Sequence, residues 1–89
     1  MNAIISVVGK DSVGILSKVS CACADSGVNI VEVNQSVLRD MFAMLMLVEL
    51  NKDDVAIDEL REKLAKVEKE TNTKIHVMHE DIFNSMHRI

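Results

Sequence analysis

Eight consecutive apolar residues, Met41-Phe42-Ala43-Met44-Leu45-Met46-Leu47-Val48, leave a folded chain few ways to accommodate them. The run is far short of the roughly 20 residues that cross a bilayer as a helix. As a strand it sends Phe42, Met44, Met46 and Val48 to one side of a sheet and Met41, Ala43, Leu45 and Leu47 to the other, because side chains alternate along extended backbone. A sheet with one wet face shows polar residues there. Both faces of this strand are apolar, so both call for cover.

The neighbouring segments say what kind of sheet it is. Ala3 to Val8 is a short β-branched run bounded by Gly9, and it predicts a first strand. After Gly14 the period changes: Ile15, Val19 and Ala22, flanked by Leu16 and Cys23, share one face of a helix that Ser26-Gly27 closes. Val28 to Leu38 predicts a second strand, with Val31, Val33 and Val37 on one parity and Asn34 and Ser36 on the other. Arg39-Asp40 is a weak turn before the apolar strand. Asn51 to Asp54 begins a second helix, with acids (Asp53, Asp54, Asp58, Glu59) early and Lys63, Lys66 and Lys69 late, as the helix dipole favours. Its apolar face is Ile57, Leu60, Leu64 and Val67. Thr73 to Met78 alternates again, Ile75 and Val77 against His76 and Met78, as a fourth strand. The order β-α-β-β-α-β predicts an α+β, ferredoxin-like sandwich: a four-stranded antiparallel sheet with both helices on one face, since right-handed crossovers place them together.

No Pro, linker or low-complexity stretch divides the 89 residues, so residues 1–80 read as one domain. Residues 81–89 read as a C-terminal helical extension, with Ile82, Met86 and Ile89 on one stripe beside Phe83. Nine residues do not hold a helix alone in water, where about 12–15 are marginal. This tail is one candidate cover for the sheet's free face, and a second subunit is the other. A homodimer is expected, using the free face, an exposed strand edge, or both.

Composition excludes several roles. Ten Lys+Arg against fourteen Asp+Glu give a net charge of −4, and the two Phe are the only aromatic residues. Nucleic-acid binders show a basic surface and aromatic stacking platforms, so none is expected here. The opening Met1-Asn2-Ala3-Ile4-Ile5-Ser6 is unlike a signal peptide, and no run is long enough for a membrane helix. Two cysteines make no disulfide framework, which points to a cytoplasmic protein with free thiols. Cys21 and Cys23, two residues apart on a helix, point to opposite sides and cannot chelate one ion together. His76 and His79 fall on opposite faces of a strand and His87 lies in the tail, so no metal site or cofactor is expected. No nucleophile–base pair or carboxylate dyad marks an enzyme, although Lys10, Asn29 or Arg88 could be conscripted as anion stabilisers.

The segment Gly9-Lys10-Asp11-Ser12-Val13-Gly14 carries the most chemistry. Its GxxxxG spacing matches a phosphate loop, yet Ile15-Leu16 follow where that motif needs Lys and Ser/Thr. A glycine at the start of a helix still lets a ligand reach backbone N–H groups at its positive end, which favours a carboxylate. Asp11 or Ser12 is placed to cap the helix, and Asp11 could instead accept a bond from a ligand ammonium. An amino-acid zwitterion would complement such a loop, while the same loop is also an ordinary capped βα turn.

Asp11-Ser12-Val13-Gly14-Ile15-Leu16, then Val19, then Ser26-Gly27-Val28-Asn29-Ile30, resembles the signature of the ACT domain: an acidic residue, a glycine shortly after, a helix, and a Gly-hydrophobic-Asn-Ile entry to the second strand. The likeness spans the whole chain. The opening Val7-Val8-Gly9-Lys10-Asp11 and the ending Asp81-Ile82-Phe83 with Met86-His87-Arg88-Ile89 are similar to an uncharacterised family of small stand-alone ACT-domain proteins of bacteria and archaea. Many ACT domains have Pro before the loop glycine, where this chain has Val13, a change that leaves the loop less stiff. The resemblance implies a regulatory, non-catalytic module that binds an amino acid or related small molecule at a homodimer interface. It also implies that Asp11, Ser12, Gly14 and Ile15 of one subunit face Asn29 and Ile30 of its partner. With no catalytic unit attached, output would pass through another protein. The alternative is a structural adaptor that keeps only a vestigial ligand site.

Overall fold

The computed structural model describes residues 2–50 and 54–81, the side chains of 54–56 excepted. In chain order these form β1 (Asn2–Lys10), α1 (Ile15–Asp25), β2 (Asn29–Leu38), β3 (Met41–Glu49), α2 (Asp54–Thr71) and β4 (Thr73–His79). The strands make one sheet in the order β2-β3-β1-β4, and every pairing is antiparallel. This is the ferredoxin-like arrangement. The expected helix entry at 51–53 and the tail stripe of Ile82, Phe83, Met86 and Ile89 lie outside the described residues; Glu80 and Asp81 are helical.

One aliphatic core holds the two layers together. Ala3, Ile5 and Val7 from β1 and Phe42, Met44, Met46 and Val48 from β3 face Ile15, Val19 and Cys23 of α1 and Leu60, Leu64 and Val67 of α2. Met44 and Met46, unbranched and adaptable, fill a centre whose one aromatic ring among the described residues is Phe42. The opposite face of β3 is open: Met41 is 48 % and Leu45 46 % exposed, and Val8 beside them on β1 is 44 % exposed. Expectation and structure agree that this strand is apolar on both sides.

Two local readings change. β1 does not stop at Gly9; it runs on, with Gly9 paired to Phe42 on one side and Thr73 on the other. Glycine is needed inside the strand because a Cβ there would lie 2.9 Å from the Thr73 Cα. Thr73 itself is buried, its hydroxyl 2.8 Å from that of Thr71, which donates to the Val67 carbonyl at 2.7 Å. In β2 the register slips between Ile30, opposite Val48, and Glu32, opposite Leu47. Val31 is therefore the extra residue of a bulge, and the simple alternation expected of Val31, Val33 and Val37 is broken at its first member.

Candidate functional site

The β1–α1 loop is set by one glycine. Gly14 holds φ +88°, a left-handed conformation open to glycine at little cost, and takes the N-cap position of α1. The Lys18 N–H donates to its carbonyl at 3.0 Å, closing the first turn. No side chain caps the helix, so the expected capping by Asp11 or Ser12 does not occur. Those residues stand three and two positions upstream of the cap, where a side chain no longer meets the first-turn amides. Both are exposed, as is Val13. The Asp11 N–H is anchored to the Asp40 carbonyl at 2.7 Å, tying the loop to the β2–β3 hairpin. Space beside Gly14 is open: a Cβ built there meets nothing within 4 Å. Ile15 is 1 % exposed and its side chain belongs to the core, so its backbone N–H is the group it presents at the helix entry.

At the other end α1 closes with a Schellman motif. The Val28 N–H reaches the Cys23 carbonyl at 2.9 Å and the Gly27 N–H the Ala24 carbonyl at 3.1 Å, with Gly27 at φ +70°. Asn29 follows, exposed, opening β2 opposite Glu49; Ile30 is half-buried opposite Val48.

These two groups of residues are far apart within one chain. Asp11 lies beyond Lys10, which pairs with Met41 at the hairpin end of the sheet, whereas Asn29 pairs with Glu49 at the opposite end. At about 3.3 Å per residue the strand length between them is roughly 30 Å. A single chain brings Asp11, Ser12, Gly14 and Ile15 together, and Asn29 with Ile30, but it does not bring the two sets together.

The sheet's two edges are treated differently, which no sequence pattern foretold. On β4 the Ile75 N–H donates to Glu68 of α2 at 2.6 Å, and the Val77 carbonyl accepts from Arg61 at 3.3 Å. Side chains of α2 thus occupy that edge. Among the described residues β2 has no such cover: every residue from Val31 to Leu38 is exposed, including Val33 and Val37.

Other candidate chemistry stays dispersed. Cys21 is exposed and Cys23 buried, as their spacing predicts, and burial pushes the Cys23 thiol up to about 11. His76 pairs with Ser6 on the open face; His79 lies on the helix side and accepts from the Asp81 N–H at 3.2 Å. Among the described residues, no group of three or more His, Cys, Asp or Glu could hold a metal ion, and no helix is long and apolar enough to cross a membrane.

Comparison with known proteins agrees with this architecture. A family model described as the ACT domain matches residues 2–78. A UPF0237 protein of Methanopyrus kandleri is 42 % identical over 87 residues, covering 98 % of this chain and 97 % of that one. Among solved structures, an ACT domain protein from Streptococcus pneumoniae superposes with a TM-score of 0.78 at 38 % identity, covering 93 % of each chain. The ligand-free regulatory subunit of aspartate kinase from Thermus thermophilus superposes at 0.70 with 25 % identity, over 86 % of this chain and 50 % of that one. With both helices and all of the sheet but the last residue of β4 inside the matched span, the chain belongs to the ACT domain family.

Proposed function

We propose that this protein is a non-catalytic regulatory module that binds an amino acid or closely related small molecule, and that it does so as a homodimer joined through β2. The observation that carries this reading is the roughly 30 Å between the two halves of the site, combined with a free β2 edge. A two-fold axis perpendicular to the sheet pairs two β2 strands antiparallel and keeps the helices on one side. The Asn29 end of one β2 then lies beside the Leu38 end of the other. That is where the partner's loop 11–14 is tied to Asp40. Two identical sites result, each made from both chains. Asp11 is placed for a ligand ammonium, the open space at Gly14 admits a carboxylate to the first amides of α1, and Asn29 of the other chain supplies one donor group and one acceptor. The likeness to the regulatory subunit of Thermus aspartate kinase supports the same reading for a shared fold.

Thermal unfolding against the twenty amino acids tests it. A ligand at 100 times its dissociation constant adds about 2.7 kcal/mol to stability. Asp11→Ala and Asn29→Ala each abolish the shift alone. When the two variants are mixed and allowed to exchange subunits, half the shift-competent sites return in the mixed dimers, because each such dimer rebuilds one intact site. No shift with any amino acid removes the sensor and favours the adaptor. Loss in both variants without recovery on mixing places the site within one chain.

A further inference from the structure

The sheet's open face carries a groove that the proposed ligand site does not use. Register aligns its side chains in rows across the strands: Met78, Ile4, Leu47 and Glu32 in one, and His76, Ser6, Leu45 and Asn34 in the next. A cavity of about 260 Å³ follows them, floored by Ile4, Leu45 and Leu47, with Glu32 and Asn34 at the β2 end and Glu80 at its rim. Leu45 is 46 % exposed there, in a position where its neighbours along β3 are core.

Glu80 settles which segment lies nearest. The chain leaves β4 at His79, turns helical at Glu80 and Asp81, and has eight residues still to run from the groove's own rim. The sequence of that remainder suits the surface. Ile82, Met86 and Ile89 recur four and three apart with Phe83 beside them, one apolar stripe at helical spacing. Eight residues of helix span about 12 Å, and three inter-strand spacings from β4 to β2 amount to about 14 Å. Length and apolar spacing match in the same direction.

We propose that this groove is the docking site for the chain's own residues 82–89, laid across the strands with Ile82, Phe83, Met86 and Ile89 on Ile4, Leu45 and Leu47. Docking supplies the order that a segment this short lacks in water, and it covers Leu45 and Leu47 on the second face of β3 within one chain.

Methyl-resolved NMR on the full chain tests this. Cross-peaks between the methyls of Ile82, Met86 or Ile89 and those of Ile4, Leu45 or Leu47 are expected, and they persist as intrachain contacts when labelled and unlabelled chains are mixed. Cross-peaks that appear only between labelled and unlabelled chains assign the groove to a second copy and overturn the proposal, as does their absence. Met86→Asp provides a second readout: Leu45 and Leu47 methyl shifts move to those of a chain ending at Asp81, and binding of a hydrophobic dye rises, while Met86→Leu changes neither. Unmoved shifts in Met86→Asp reject the docking.

Discussion

Cys23 shows how position decides the character of a side chain. It is fully buried in α1, while Cys21, two residues earlier, is exposed. Burial disfavours the thiolate and raises the Cys23 thiol from 9.0 to about 11. Below pH 9 both folded and unfolded chains keep the proton, and stability does not depend on this group. Between pH 9 and 11 the unfolded chain loses a proton that the folded chain retains, so stability falls as pH rises. The loss across that window is on the order of 2 kcal/mol. Urea midpoints at pH 8 and pH 10 should show it in the wild type, with the slope flattened in Cys23→Ala. Alkylation of the native protein near neutral pH should modify Cys21 alone. The two left-handed glycines divide similarly. Gly27 serves α1's exit and is structural, whereas Gly14 shapes the helix entry beside open space.

Between elements, the closest constraint is the approach of β1 to β4. A methyl group at position 9 would sit 2.7 Å from the Thr73 Cγ2 and 2.9 Å from its Cα. The backbone contact is the decisive one, since a side chain could rotate away and a neighbouring strand cannot. Gly9→Ala should therefore push β4 out of register at its start and strain the buried Thr71–Thr73 hydroxyl pair. The expected cost is about 1–3 kcal/mol, as in other overpacked interiors. In a domain of this size that lowers the melting temperature by roughly 4–8 °C per kcal/mol. Calorimetry checks this, and a variant as stable as the wild type would mean that β1 and β4 are not held at this distance. β4 has a second tether in α2, whose Glu68 and Arg61 take up its outward N–H and C=O groups. A strand edge occupied in that way is closed to further pairing.

Among the described residues, the sheet is left with one free edge and one free face. β2, ten residues long, carries Glu32 as its one charged side chain, which is weak protection for an exposed edge. Pairing of two β2 edges would extend the sheet to eight strands and set the two α1 helices side by side. Lysines on that edge oppose it by repulsion across the axis. Val33→Lys with Val37→Lys, both exposed positions on the helix side of β2, should reduce the mass seen by light scattering from that of two chains to that of one. Far-UV circular dichroism should stay unchanged, and the amino-acid thermal shift should vanish with the dimer. A variant that keeps both the dimer and the shift would exclude β2 as the joining edge. The free face does not conflict with this joint, because a continuous sheet leaves its helix-free side accessible.

The order and type of the elements were legible in the residues, because periodicity is local: two-residue alternation in β3 and β4, and three- and four-residue spacing in α1 and α2, follow from backbone geometry alone. The left-handed turn at Gly27 was legible for the same reason. The bulge at Val31, the continuation of β1 through Gly9 and the N-cap at Gly14 were not, since each depends on what a neighbouring strand or turn demands of the backbone. Asp11, Ser12 and Gly14 were singled out by the chemistry of their loop and Ile15, Asn29 and Ile30 by a resemblance, and the separation of the two groups across the sheet appeared only on folding. Local patterns specify which segments become strands and helices. Which edge is covered, which face stays bare and which residues meet are set by contacts between segments distant in the chain, where packing and hydrogen bonding select among pairings that the local pattern leaves equal.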